Sequence, residues 1–273
     1  MGIFSGSLIC TDLDGTLYRN DKTISAENKR AIEYYKSEGG YFTFVTGRLP
    51  YYSTDAYRKI SPNAPYGCIN GGGVYDGDAH RYIWATTLPR EAMELVAYID
   101  ERFHDVGIQV CCHDRTYFAR ENEVTVRFRR LTGVPRLVAD YKEVGEPVGK
   151  ILFCSDKDEE ILAIASALNE HPLSSQFDFV RSERTLYEIL PKGVNKGLAL
   201  TKIAEHLGID IEKTIAIGDY DNDVGMLLAA GVGIAVANAS PPALRAADLT
   251  TVSNEDDAIA RVIYDLKDGK IKL

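Results

Sequence analysis

Leu8-Ile9-Cys10-Thr11-Asp12-Leu13-Asp14-Gly15-Thr16-Leu17 is an apolar run that delivers two carboxylates into a glycine turn. Strand side chains alternate in direction, so Asp12 and Asp14 leave the C-terminal end of the strand on one side. Open α/β sheets bind their ligands at that end. Two carboxylates this close raise each other's pKa unless a cation lies between them or one keeps its proton, and either state is chemically useful. Standing alone, the segment could equally be a solvated Asp-Gly turn.

A second acidic cluster argues against that plain reading. Thr214-Ile215-Ala216-Ile217-Gly218 has the composition of a buried parallel strand, and it runs into Asp219-Tyr220-Asp221-Asn222-Asp223 before an apolar helical stretch, Val224 to Ala230. If the two strands are parallel neighbours, the clusters converge on one metal-sized site. Asp219, Asp221 and Asp223 also have the alternating spacing of an EF-hand. That loop needs Gly where this chain has Val224 and a bidentate Glu where it has Ala230, so the match fails.

Two quieter signals fit the same site. Tyr41-Phe42-Thr43-Phe44-Val45 is a β-branched and aromatic strand that ends in Thr46-Gly47-Arg48, a tight turn offering a hydroxyl and backbone N–H groups to a phosphate. Further on, Pro191 to Gly197 precedes a helical pattern from Leu198 to Leu207, with Gly208 as its stop. A lysine at a helix start opposes the macrodipole, so Lys196 calls for an anion nearby. Asp221 is expected to be solvated.

These segments resemble the motifs of a haloacid dehalogenase superfamily phosphatase of the Cof type, subclass IIB. Asp12-Leu13-Asp14-Gly15-Thr16 matches the first motif, Val45-Thr46-Gly47-Arg48 the second, Lys196 the third, and Gly218-Asp219-Tyr220-Asp221-Asn222-Asp223 the fourth, in the family's order. The similarity continues through Ala230 to Ala239, Ala247-Asp248 and Ser253-Asn254-Glu255-Asp256. Val236-Ala237-Asn238 departs from the commoner Met-Gly-Asn, which touches loop shape and not the four motifs.

The resemblance implies an α/β fold: a Rossmann-like parallel sheet core with an inserted α+β cap that closes over the active site. The expected domains are a first core part at 1–82, the cap at 83–187 and a second core part at 188–273. The sequence pattern agrees. A strand and helix rhythm, including a helix from Ala26 to Ser37 capped by Ser25 and closed by Gly39-Gly40, fills the N-terminal part and resumes after Lys196. Between them, a helix from Pro89 to about Phe103, short strands at Ile108–Cys112, Thr116–Ala119 and Ile151–Cys154, a helix from Asp158 to Asn169, and strands at Phe177–Val180 and Leu186–Leu190 suggest an α+β module.

By the same resemblance Asp12 is the nucleophile that forms an aspartyl-phosphate, and Asp14 is the general acid and base. Mg²⁺ is expected on Asp12, the Asp14 carbonyl and Asp219. Thr46, Gly47, Arg48, Lys196 and Asn222 are expected to bind the phosphoryl group, with Asp223 behind them orienting Lys196 or the metal ligands. The function implied is hydrolysis of small phosphomonoesters, such as sugar phosphates, pyridoxal phosphate or flavin mononucleotide. A phosphomutase of the same superfamily and a catalytically silent metabolite sensor are the alternatives. Candidate specificity residues in the cap are His113, Arg115, Tyr117, Arg120 and Arg181.

Composition fits a soluble, cytoplasmic enzyme of 273 residues, large enough for two domains. The net charge of −9 and the lack of a basic face exclude nucleic acid as a partner. No apolar run has membrane-span length, and Met1 to Gly6 has neither the charged region of a signal peptide nor a completed myristoylation signal. The expected partner is a small phosphorylated molecule, with the chain a monomer or weak homodimer. Its five cysteines are odd in number and lie mostly in apolar patterns, so they read as small buried hydrophobes in a reducing compartment.

Overall fold

Leu8–Thr11 pairs in parallel with Tyr41–Phe44 on one side and with Thr214–Gly218 on the other. Val232–Ala235 and Leu249–Thr250 continue the sheet beyond Thr214–Gly218, making five parallel strands in the order 249, 232, 214, 8, 41. Strand order therefore reverses between the first strand and Thr214–Gly218. A crevice at such a switch point is where open α/β sheets place ligands. The computed structural model describes residues 2–273, and the chain divides into two compact units.

The unit that holds this sheet comprises the residues to Gly47, Thr54–Trp84 and Asn195–Leu273. The helices Lys196–Leu207, Val224–Ala229 and Pro241–Ala246 pack Ala199, Leu200, Ile203, Met226, Leu227 and Ala243 against Leu8, Cys10 and Ala216 of the strands. Alternate strand residues supply that face, as period-two geometry requires. Ala26–Ser37 and Ala258–Lys267 pack together, with Ala260 N donating to Asn28 Oδ1 at 2.9 Å. Ser25 caps the former helix by accepting from Asn28 N at 3.0 Å, as its extended backbone permits. A small sheet of Tyr66–Cys68, Gly73–Asp76 and Arg81–Ala85 belongs to this unit up to Trp84.

The second unit comprises Arg48–Ser53 and Ala85–Val194. Its six-stranded sheet is antiparallel apart from the pairing of Leu137–Val138 with Thr116–Arg120. The helices Ala92–Asp100 and Asp158–Glu170 bury Leu95, Val96, Ile99, Ile161, Ile164 and Leu168 against Ile108, Val110, Ile151, Phe153 and Ile189 of one sheet face. The first of these helices starts at Ala92 and not at Pro89, because Pro89, Arg90 and Glu91 form tight turns onto Ala92, Met93 and Glu94. A boundary at Tyr187 would fall inside the strand Leu186–Pro191, which pairs with Val148–Cys154 of this sheet.

One helix here, Glu123–Thr132, has no counterpart in the sequence reading, although Asn122 forms a capping box with Thr125 and Gly133 takes the left-handed C-cap. All five cysteines are buried and outside any disulfide. Burial pushes the Cys111 thiol up to about 11 and the Cys112 thiol up to about 12, which keeps both protonated and inert. No helix among the described residues is long and apolar enough to cross a membrane.

Candidate active site

Because Leu8–Thr11 and Thr214–Gly218 are parallel neighbours in register, with Thr11 opposite Ile217, the two acidic clusters emerge side by side. Asp12 N donates to Ile217 O at 2.8 Å, so the ladder ends where Asp12 begins. Gly15 then turns the chain with φ +87°, and a Cβ there would lie 2.5 Å from Asp219 Oδ2. Only glycine lets the first cluster approach the second so closely. Thr16 Oγ1 closes the contact by donating to Asp219 Oδ1 at 2.8 Å.

Lys196 opens the helix Lys196–Leu207, whose N-cap Asn195 accepts from Gly197 N and Leu198 N. Its ammonium donates to Asp12 Oδ1 at 2.5 Å and to Asp223 Oδ1 at 2.6 Å, and its side chain is 1% exposed. These are the anions that its place against the helix dipole calls for. Burial works against the charge on Lys196, but Asp12 and Asp223 outweigh it and hold the lysine above its ordinary range. Asp223 is saturated with donors, since its Oδ2 also accepts from Asp219 N at 2.9 Å and Tyr220 N at 3.0 Å.

Burial pushes the Asp12 carboxyl up, Lys196 pulls it down, and the neighbouring Asp223, Asp219 and Asp14 push it up again. Asp219 is pushed up to about 7, first by burial and then by Asp223. Asp12, Asp219 and Asp223 offer oxygens that all lie within 4.8 Å of one another. One lysine does not balance three clustered carboxylates, and the surplus negative charge asks for a cation. The donors are all hard oxygens, which suits Mg²⁺. Asp12, Asp219 and Asp223 are the side chains that could hold such an ion. Asp14 Oδ1 accepts from Lys22 Nζ at 2.8 Å.

Thr46 and Gly47 follow the strand Tyr41–Phe44, with Thr46 buried and its N–H donating to Gly67 O at 3.0 Å. A Cβ on Gly47 would meet Asn70 Oδ1 at 2.9 Å, and that oxygen accepts from Asn222 Nδ2 at 3.0 Å. Asn70 thus ties the second motif to the fourth. Arg48 begins the segment that belongs to the second unit. In that unit Arg115 pairs with Asp114, Arg120 with Asp100 and Arg181 with Asp158, while His113 Nε2 lies 2.9 Å from Thr86 O. Tyr117 stands on the strand Thr116–Arg120.

Several contributors escape the sequence reading. Asn70 is buried with φ +51°, and Ile69 before it also has positive φ, at +56°. Its nearest signal is the run Asn70-Gly71-Gly72-Gly73. Gly71 is required there because a Cβ would lie 1.9 Å from Asn195 O, so this loop passes directly over the start of the Lys196 helix. Asp221 is half-buried and not simply solvated: Ser240 Oγ donates to its Oδ1 at 2.7 Å, because Ser240 N is drawn in by Asp219 O.

A sequence model of haloacid dehalogenase-like hydrolases matches residues 9–263. The chain belongs to that family. This haloacid dehalogenase-like hydrolase is 33% identical over 262 residues to the 5-amino-6-(5-phospho-D-ribitylamino)uracil phosphatase YitU of Bacillus subtilis, covering 94% of this chain and 96% of that one. It is 27% identical to the pyridoxal phosphate phosphatase YbhA of Escherichia coli, covering 94% and 97% of the two chains. Among solved structures it resembles a haloacid dehalogenase-like hydrolase from Bacteroides thetaiotaomicron, with TM-score 0.81, 26% identity, and 95% and 99% of the chains covered. The hydrolase is of the Cof type.

Proposed function

We propose that the protein is a Mg²⁺-dependent phosphatase that hydrolyses small phosphomonoesters through an aspartyl-phosphate on Asp12. The carrying observation is the buried contact of Lys196 with Asp12, beside Asp219 and at the end of the central strands. It combines an anionic oxygen nucleophile with a cation-seeking pocket. Relatives that are phosphatases for a ribityl phosphate and for pyridoxal phosphate support a compact, polar phosphomonoester as substrate, with sugar phosphates in the same class.

Lys196 favours the charged form of Asp12 against burial and the neighbouring carboxylates, and a carboxylate oxygen of Asp12 attacks phosphorus. As the new O–P bond forms, the bond to the leaving oxygen breaks and Asp14 gives that oxygen its proton. Asp14, now a carboxylate, takes a proton from water whose oxygen attacks the same phosphorus, releasing phosphate and restoring Asp12. Lys196 and Asn222, with Thr46, Gly47 and Arg48, hold phosphoryl oxygens, and Asp223 anchors Lys196. Mg²⁺ held by Asp12, Asp219 and the Asp14 carbonyl would neutralise phosphoryl charge. General acid and base catalysis supplies only about 10²- to 10⁴-fold of an enhancement that approaches ~10²¹ for phosphate monoesters. Fixed charge and positioning must therefore supply most of it. The cap expected at 83–187 is the part to which we assign selection among substrates.

The test is phosphate release from a panel of phosphomonoesters with Mg²⁺ and with excess chelator. Release that needs Mg²⁺ and discriminates among the esters is expected. Full activity in chelator, or none with any ester, would overturn the reading.

A further inference from the structure

Two stretches singled out in the sequence, Val236-Ala237-Asn238 and Ser253-Asn254-Glu255-Asp256, have no role in the chemistry above, yet both reach the turn that carries Asp14. Asn238 Nδ2 donates to Gly15 O at 2.8 Å, and Asn238 Oδ1 accepts from Asn254 N at 2.9 Å. Asn254 is 3% exposed and donates through Nδ2 to Tyr18 O at 3.0 Å. Next to it, Glu255 Oε1 accepts from Asn20 N at 2.7 Å and Asp257 Oδ1 from Arg19 Nη2 at 3.0 Å. The turn after Asp14 is thus held at Gly15, Tyr18, Arg19 and Asn20. At its tip Lys22 N donates to Arg19 O at 2.9 Å, and Lys22 has φ +63°. A lysine in the left-handed region stores strain that the surroundings must hold, and such outliers gather at functional sites. Here the strained residue, two-thirds exposed as a side chain, places its ammonium 2.8 Å from Asp14 Oδ1.

We infer that Lys22 is a positioning residue for Asp14, and that the Asn238 and Asn254 clamp fixes the turn on which it stands. Engaging one carboxylate oxygen fixes the direction of the other, so the proton on Asp14 meets the leaving oxygen without a search. This rests on the phosphatase reading and on Asp14 as acid and base. A misaligned acid matters most when the leaving oxygen is a poor leaving group and least when it departs unaided.

The experiment compares wild type, Lys22→Met and Lys22→Arg on p-nitrophenyl phosphate and glycerol phosphate in Mg²⁺, with thermal stability measured beside the kinetics. Lys22→Met should lose about 10-fold or more in kcat on the alkyl ester and under about 3-fold on the aryl ester, within the range open to acid catalysis. KM and stability should stay near wild type, since Lys22 is exposed, and Lys22→Arg should recover most of the loss. Equal losses on both esters, no loss on the alkyl ester, or an arginine variant no better than methionine would overturn the proposal. Failure of wild type to release phosphate from either ester would instead defeat the phosphatase reading, and this proposal with it.

Discussion

Replacing Lys196 with Met removes a charge that touches both Asp12 and Asp223, at 2.5 and 2.6 Å, in a place where the lysine is 1% exposed. At an effective dielectric near 20, a unit pair about 4 Å apart is worth about 4 kcal/mol, so losing such a contact with the transferring phosphoryl group should lower kcat/KM by about 10³-fold. Stability should fall too. Removing one partner of a buried pair costs about 3–5 kcal/mol because the remaining charge is left uncompensated. The structure adds an internal control: Asp223→Asn takes away one of the stranded carboxylates, so the double variant should be more stable than Lys196→Met alone. Steady-state kinetics with an aryl phosphate and urea unfolding of the three variants give both quantities. Unchanged kcat/KM and unchanged stability in Lys196→Met would refute the reasoning, and a double variant less stable than the single would refute the pairing.

In the metal-free protein Asp219 is pushed up to about 7 from 3.8. The native state therefore holds a proton that the unfolded chain releases, and the stability this contributes is full below pH 3.8 and lost as pH rises through about 7. Mg²⁺ at the proposed site would compete with that proton, so the rise in melting temperature on adding Mg²⁺ should grow across this window, and calorimetry showing a pH-independent rise would contradict it. Gly71→Ala forces a Cβ to 1.9 Å from Asn195 O at φ +98°. Strain and overpacking together should cost about 2–5 kcal/mol in chemical denaturation, and a wild-type midpoint would show that the loop gives way.

The convergence of Asp12 with Asp219 was legible because both follow short apolar strands whose only economical arrangement is side by side in a parallel sheet. Lys196 was legible because its charge opposes the helix end on which it sits. Asn70 was not, since it has a left-handed backbone in a loop whose Gly71 passes over Asn195, a contact between segments more than a hundred residues apart. Arg48–Ser53 belongs to the second unit, and nothing in its composition signals that. Glu123–Thr132 buries only Val124 and Thr125 and exposes Leu131, so it shows its caps in sequence but no apolar stripe.

The central claim is that phosphorus passes through Asp12, and Asp14→Asn isolates that step. The variant should keep Mg²⁺ and substrate binding, and with an aryl phosphate it should form the acyl phosphate without needing a strong acid. Hydrolysis then stalls for want of a base. Rapid-quench kinetics followed by peptide mass analysis should find a burst of one leaving group per enzyme and phosphate on the peptide that contains Asp12, while Asp12→Asn shows neither. No burst from Asp14→Asn, or a phosphorylated peptide lacking residue 12, would contradict it.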